Sequence, residues 1–141
     1  MWYFLIFLLA AIWVAGNAIK RKLGVVRSIL WAVGTFILGV IVLPFYIAKR
    51  PLNANEVREG GYAWNVLRAF ALSWTLFVVA VGLAAITGIG DTASAVLIFV
   101  ILCATWFAVM AVTLILGYFL RNPAIVERGP TGPLAEEARV V

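Results

Sequence analysis

Four long apolar runs, separated by short charged joints, constrain this chain more than any other feature of its sequence. They cover residues 2–19, 28–47, 63–87 and 93–120. The shortest reaches about 27 Å as a helix, just enough to cross the hydrocarbon core of a bilayer. With a mean hydropathy of +1.10, the chain is too apolar for a soluble domain of its size, because small domains keep much of their surface in water. The sequence therefore predicts an all-α, polytopic membrane protein: a small bundle of four helical segments over residues 1–122, with a flexible cytoplasmic tail over residues 123–141.

Local signals predict how the runs begin, end and bend. Asn53 and Glu56 fit a capping box, which indicates a short interfacial turn. Pro44 removes a backbone donor near the end of the second run and predicts a kink in its last turn. Asp91 or Thr92 is well placed to cap the fourth run, so runs three and four should form a close antiparallel hairpin.

The basic residues predict the orientation of the C-terminal half and leave the N-terminal half open. The loop over residues 88–92 has no Lys or Arg, whereas the joints before and after it do, so the loop should lie outside and the C-terminus in the cytoplasm. If the second run spans, both termini are cytoplasmic, which we favour, but the cluster over residues 20–27 falls outside, against this rule. If the run is re-entrant, all eleven basic residues face the cytoplasm, but its irregular backbone must then be buried in protein. An inverted arrangement is the third alternative.

Charge and composition narrow the function classes. The net charge of +5 comes from basic residues placed at the joints, which favours contact with anionic lipid headgroups over nucleic-acid binding. Histidine is absent and the one cysteine, Cys103, lies in an apolar run, so we expect neither a metal nor another cofactor. We expect a multi-pass protein of a bacterial inner membrane, with the lipid bilayer as its first partner.

The apolar runs carry few groups that could move ions or substrates. Arg68 is the one charge inside a run, which argues against an ion-coupled transporter. A pore could still be lined by hydroxyls, for which the candidates are Ser73, Thr75, Thr105 and Thr113. The alternative, which we favour, is that these hydroxyls bond to their own helix or to a neighbour.

Small residues recur every four positions and predict close helix packing. The third run carries Ala80, Ala84 and Gly88, and the fourth carries Ala104 and Ala108. The Ala11/Ala15 and Thr113/Gly117 pairs have the same spacing. Such faces let helix backbones approach one another in lipid. They predict packing within the chain or, as the more specific alternative, packing between chains.

One polar cluster has the ingredients of an enzyme. Glu56 and Glu59, with Arg58 between them, form a candidate interfacial loop in which two carboxylates could hold a metal or transfer a proton. A solvated, salt-bridged loop is the simpler interpretation, because no nucleophile or third carboxylate lies nearby. We therefore expect a protein without a catalytic site that acts by self-assembly, as a homo-oligomer, or as an accessory subunit of a larger membrane complex. The alternatives are a small oligomeric channel or facilitator with its pore at a subunit interface and, less favoured, a lipid-modifying enzyme.

Overall fold

The computed structural model describes residues 2–88 and 91–129. Within them, four helices and two short strands follow in the order α1 (Trp2–Lys20), α2 (Val25–Lys49), β1 (Val57–Gly60), α3 (Gly61–Gly88), α4 (Thr92–Leu120) and β2 (Asn122–Arg128). By length and composition alone, all four helices are candidate membrane spans. This confirms the four predicted hydrophobic segments, with boundaries that move by only a few residues.

The core lies where α1 packs on α2. The buried residues of α1 recur every three or four positions, as one face of a helix requires: Phe7, Ala11, Val14 and Ala18. On α2 the same core contains Leu43 and the almost fully buried Tyr46. The Tyr46 hydroxyl donates to Asn17 Oδ1 of α1 at 2.9 Å. The C-terminal parts of α1 and α2 therefore lie side by side.

Helix α2 is folded back on itself. Leu38 leaves the helical conformation, with φ −123° and ψ 44°. The rings of Trp31 and Tyr46 have centroids 5.5 Å apart, whereas a straight helix would separate these two residues by about 22 Å along its axis. A Cβ on Gly34 would lie only 3.1 Å from Val42 Cγ1. We call the two halves limb 2a, residues 25–37, and limb 2b, residues 39–49.

Side chains from the neighbouring helices complete the backbone hydrogen bonding around this bend. Pro44 has no N–H, so the carbonyl of Val40 lacks its helical donor, and the Ser73 hydroxyl of α3 donates to it at 3.1 Å. The Ile37 carbonyl at the apex accepts from the Tyr3 hydroxyl of α1 at 3.0 Å. Irregular backbone at membrane depth requires such partners, and α1 and α3 supply them.

The two ends of α2 consequently lie at the same end of the bundle. Arg21, just after α1, forms an ion pair with Glu56, beyond α2, at 2.8 Å. At the opposite end, Trp2 Nε1 donates to Thr87 Oγ1 at 2.8 Å. Each limb is at most about 20 Å long, too short to cross about 30 Å of hydrocarbon. Our favoured expectation that the second run is one full span does not fit this geometry, whereas the re-entrant alternative does.

The bend is also displaced from its predicted place. We expected a kink in the last turn of the second run, at Pro44, but the non-helical residue is Leu38. Limb 2b continues as helix through Pro44 to Lys49. The proline frees a carbonyl one turn earlier in the chain, and the chain reverses just before that point.

A two-stranded antiparallel sheet joins the start of α3 to the end of α4. Val57 pairs with Arg128 and Glu59 with Val126, and the register slips between Glu59 and Gly60. At Gly60, φ is +88° and the Trp64 ring occupies the space that a Cβ would need, so glycine fits here on both counts. The flexible tail expected from residue 123 is therefore wrong for residues 123–128, because β1 supplies a pairing edge that composition does not reveal. Residues 130–141 lie outside the described part.

Helix α4 is attached to the bundle along one side. Asp91 caps it by accepting from the backbone N–H groups of Ala93 and Ser94, as expected. The Ser94 hydroxyl, which donates to Asp91 Oδ2 at 2.7 Å, and next these two N–H groups hold the pKa of the Asp91 carboxyl below its usual value. Within α4, only Thr113 and Gly117 are buried by the described residues. A Cβ on Gly117 would collide with the Trp64 ring, so this glycine sets the close contact between α4 and the beginning of α3.

Candidate functional site

The bend in α2 gathers the polar joints of the chain at one end, which we call the basic end. Three joints meet there: the one after α1, the one between α2 and α3, and the segment after α4. Ten of the eleven basic residues lie in or next to these joints; the remaining one, Arg139, is outside the described residues. The ten are Lys20, Arg21, Lys22, Arg27, Lys49, Arg50, Arg58, Arg68, Arg121 and Arg128.

A cavity of about 780 Å³ opens at the basic end. Four arginines from different parts of the chain line it, and we call it the arginine cavity: Arg50, Arg58, Arg68 and Arg121. Its other polar lining residues are Asn65, Glu56 and Glu59, and Trp64 and several aliphatic side chains complete the wall.

Glu56 is fully engaged as an acceptor. Its two carboxylate oxygens each take a hydrogen bond from the Arg21 guanidinium at 2.8 Å, and one also accepts from the Asn53 backbone N–H at 2.9 Å. The Arg21 hydrogen bonds first, and the Asn53 bond next, lower the pKa of the Glu56 carboxyl to about 2. The chain turns between Asn53 and Glu56, as the capping-box pattern predicted. Glu56 therefore stays ionised at neutral pH, and its charge is matched by Arg21.

Arg58 closes the C-terminal end of α2. Its guanidinium donates to the carbonyls of Ala48 at 2.6 Å, Arg50 at 2.9 Å and Ile47 at 3.2 Å. A cation is favourable at this position because the last carbonyls of a helix lack intrahelical donors and carry partial negative charge. A weaker ion pair joins Arg58 to Glu127 of β2 at 3.5 Å. Arg58 is thus mainly structural.

Arg50 has few partners of its own. Its buried Nε has no hydrogen-bond acceptor, and the residue forms no salt bridge, among the described residues. Its guanidinium lies over the Trp13 ring of α1, 5.8 Å from the centroid. Burial, and next the nearby positive charge of Arg21, lower the pKa of the Arg50 guanidinium. Arg121 lies in the same way over Trp64, at 5.9 Å.

The three residues of the candidate interfacial loop, Glu56, Arg58 and Glu59, have separate roles in the structure. Glu56 bonds to Arg21, Arg58 bonds to the end of α2, and Glu59 is an exposed residue of β1. Within the described chain, no group of three potential metal-ligating residues (His, Cys, Asp or Glu) lies together. Glu56 therefore neutralises a neighbouring cation, and the arginine-rich lining of the cavity favours the binding of an anion.

The candidate pore-lining hydroxyls all bond to carbonyls of their own helix. Thr75 donates to Ala71, Thr105 to Ile101 and Thr113 to Val109. Ser73 also donates within α3, in addition to its bond to α2. Thr75 in turn accepts from Trp106 Nε1 at 3.0 Å, which links α3 to α4. These contacts agree with the packing role that we favoured for the hydroxyls.

The predicted small-residue face is divided by the structure. Ala80 is buried inside the bundle, whereas four members of the face are exposed in a single chain: Ala84, Gly88, Ala104 and Ala108. A Cβ on Gly88 would meet no atom within 4 Å. Packing within the chain therefore uses only part of the predicted face.

Comparison with known proteins gives no match to a family model, a curated protein or a solved structure. The site residues that sequence reasoning missed are the cavity arginines Arg50 and Arg121, and Arg21, which neutralises Glu56. All three lie directly at the ends of apolar runs. The re-entrant alternative for the second run, followed to its consequence, would have brought them together.

Proposed function

We propose that this protein has no catalytic site and acts by assembling with further copies of itself in the membrane. The observation that carries the proposal is the one-sided attachment of α4. Only Thr113 and Gly117 of this helix are buried by the described residues of one chain, while Ala104 and Ala108 are exposed. Small residues on a free helix face suit close approach of a second helix, which in lipid gains dispersion contact.

Helix α3 also carries exposed small residues, which supports a second copy as the partner. Ala84 and Gly88 of α3 are also exposed, so each copy offers small residues on both helices of the α3–α4 pair. Two copies can therefore pack through like surfaces, as symmetric dimers do. A larger membrane complex is the other partner that these faces could accept.

Two neighbouring alanines provide a matched experiment. Ala84 is exposed and Ala85 is buried within the chain, so Ala84→Leu should reduce particle mass in detergent without lowering the melting temperature of the separated chain. Ala85→Leu should lower the melting temperature, since overpacking typically costs about 1–3 kcal/mol. A wild-type chain that is monomeric in lipid nanodiscs, or an Ala84→Leu chain of unchanged mass, would overturn the proposal.

The channel alternative gains less support from the structure. The candidate lining hydroxyls are already bonded to carbonyls, so a pore between subunits would need other polar groups. Ion or solute flux through the wild-type protein in liposomes, at a rate that Ala84→Leu reduces, would favour a channel over assembly alone.

The orientation that we propose places the basic end in the cytoplasm, in a bacterial inner membrane, with the N-terminus outside. The ten basic residues gathered there support it through the positive-inside rule. In a Cys103→Ser background, a cysteine at Lys22 or Ala54 should react only from the cytoplasmic side, and one at Thr92 only from outside. External labelling at Lys22 together with cytoplasmic labelling at Ala54 would contradict the re-entrant form of α2.

A further inference from the structure

The arginine cavity has a positive lining that the described residues do not neutralise. Glu56 is matched by Arg21 from outside the cavity, and Arg58 faces Glu127 and the end of α2. That leaves Arg50, Arg68 and Arg121 against one further carboxylate, Glu59, in the lining. Guanidinium groups from several elements around one cavity are suited to binding a phosphate group. Each guanidinium can donate two parallel hydrogen bonds to the phosphate oxygens.

An apolar groove adjoins the cavity. It has a volume of about 420 Å³ and is lined by side chains of α1, limb 2b and α3, among them Ile6, Trp13, Leu43 and Leu76. Two residues, Ile47 and Leu72, line both the cavity and the groove. From these shared residues the groove runs away from the basic end, because Leu76 lies one turn beyond Leu72 on α3 and Ile6 lies in the first half of α1.

We propose that the arginine cavity and the adjoining groove together bind one anionic phospholipid, with its phosphate among Arg50, Arg68 and Arg121 and an acyl chain along the groove. A free phosphate would use the arginines but not the groove. An uncharged apolar molecule would use the groove but not the arginines. A lipid uses both parts, and basic pockets between helices at the cytoplasmic side are the places where anionic headgroups bind.

The state of Arg50 supports this assignment. A guanidinium with a buried, unbonded Nε is costly to the empty protein, because a buried donor without an acceptor loses its hydration without compensation. An anion in the cavity would offset that cost because its negative charge attracts the Arg50 guanidinium. This holds even if the anion accepts hydrogen bonds from the two terminal nitrogens and not from Nε. The residue is therefore better explained by a ligand than by the stability of the chain alone.

The experiment uses the full chain in an uncharged detergent. Thermal unfolding is followed with phosphatidylglycerol, with phosphatidylcholine of the same acyl chains, or with inorganic phosphate. We expect phosphatidylglycerol to raise the melting temperature and the other two to have little effect. Arg50→Gln with Arg68→Gln should weaken the apparent affinity for phosphatidylglycerol by about tenfold or more. Arg27→Gln with Arg128→Gln, which removes the same charge from the basic end outside the cavity, should leave it unchanged.

A groove variant keeps the test decisive if the double arginine variant unfolds. Leu72 is half exposed, so Leu72→Trp should be tolerated while it fills the junction of cavity and groove, and it should reduce the phosphatidylglycerol effect with every arginine present. An equal rise in melting temperature with inorganic phosphate would show that the site binds a free anion. An equal rise with phosphatidylcholine would show that the site does not select lipids by charge. Either result, or full binding by both the arginine and the groove variants, would overturn the proposal. Particle mass is measured in parallel, so that a failure of assembly is distinguished from a failure of lipid binding.

Discussion

The ion pair between Arg21 and Glu56 should be one of the main interactions that stabilise the basic end. It joins the end of α1 to the loop that follows α2, with two hydrogen bonds of 2.8 Å. The Arg21 side chain is only 3% exposed, whereas that of Glu56 is 35% exposed. Glu56→Gln keeps the shape of the side chain and removes its charge, so it leaves a buried guanidinium without its anionic partner.

The pKa of Glu56 sets the size of the effect. A fall from 4.5 to about 2 corresponds to about 3 kcal/mol of folding free energy. Solvent screening at a carboxylate that is one-third exposed reduces this, so we expect about 1–2 kcal/mol from Glu56→Gln. The free energy of unfolding should carry this contribution in full above pH 4.5, because the pKa is lowered in the folded state. The contribution should be lost as the pH falls toward 2.

A double-mutant cycle in mixed micelles measures this contribution. Equilibrium unfolding is compared for wild type, Glu56→Gln, Arg21→Gln and the double variant, and the coupling energy should be about 1–2 kcal/mol. Glu127→Gln is the matched control, since its contact with Arg58 is longer and more exposed, and it should cost less than about 0.5 kcal/mol. A coupling energy below about 0.3 kcal/mol would refute our account, as would a Glu56→Gln chain whose acid sensitivity equals that of wild type.

Two further predictions concern the bend of α2, and both are measured by equilibrium unfolding in the same micelles. Gly39→Val should destabilise the chain by about 2–4 kcal/mol, because a Cβ there collides with an aromatic ring of α1. The same change at Gly82, where a Cβ meets nothing within 4 Å, should cost far less, and equal costs would contradict the tight apex. Ser73→Ala should cost about 1–3 kcal/mol, since it leaves an α2 carbonyl without a donor. Thr105→Val, which removes a bond within one exposed helix turn, should be close to neutral, and a Ser73→Ala chain that is equally neutral would show that the carbonyl does not need its partner.

The helices could be predicted from the sequence because each is a long apolar run that ends at charged residues. The cap at Asp91 and the turn at Glu56 could also be predicted from the sequence, since both depend on residues a few positions apart. The bend of α2 was not, because hydropathy does not distinguish a run that crosses from one that returns. The contacts at the bend come from distant parts of the chain, such as the hydroxyl of Ser73, about thirty positions away, which donates to the backbone of limb 2b.

The remaining differences have the same origin in distant contacts. Strand β2 has the composition of a flexible tail, and it is ordered by pairing with β1, far away in the sequence. The spacing of Ala80 and Ala84 predicts a packing face but does not indicate which helix packs against it. In the structure the first is buried in the bundle and the second is exposed.

The arginine cavity is a consequence of the bend of α2. Because limb 2b returns to the end where α1 stops, the basic residues of three joints meet in a small volume, and their mutual repulsion opposes the fold. Glu56 offsets part of this repulsion by pairing with Arg21, and the carbonyls at the end of α2 offset another part by binding Arg58. Arg50 keeps a buried donor that no described residue accepts from. An anion supplied by the membrane completes this balance, and a lipid phosphate beside an apolar groove is the anion that the surroundings of the cavity fit best.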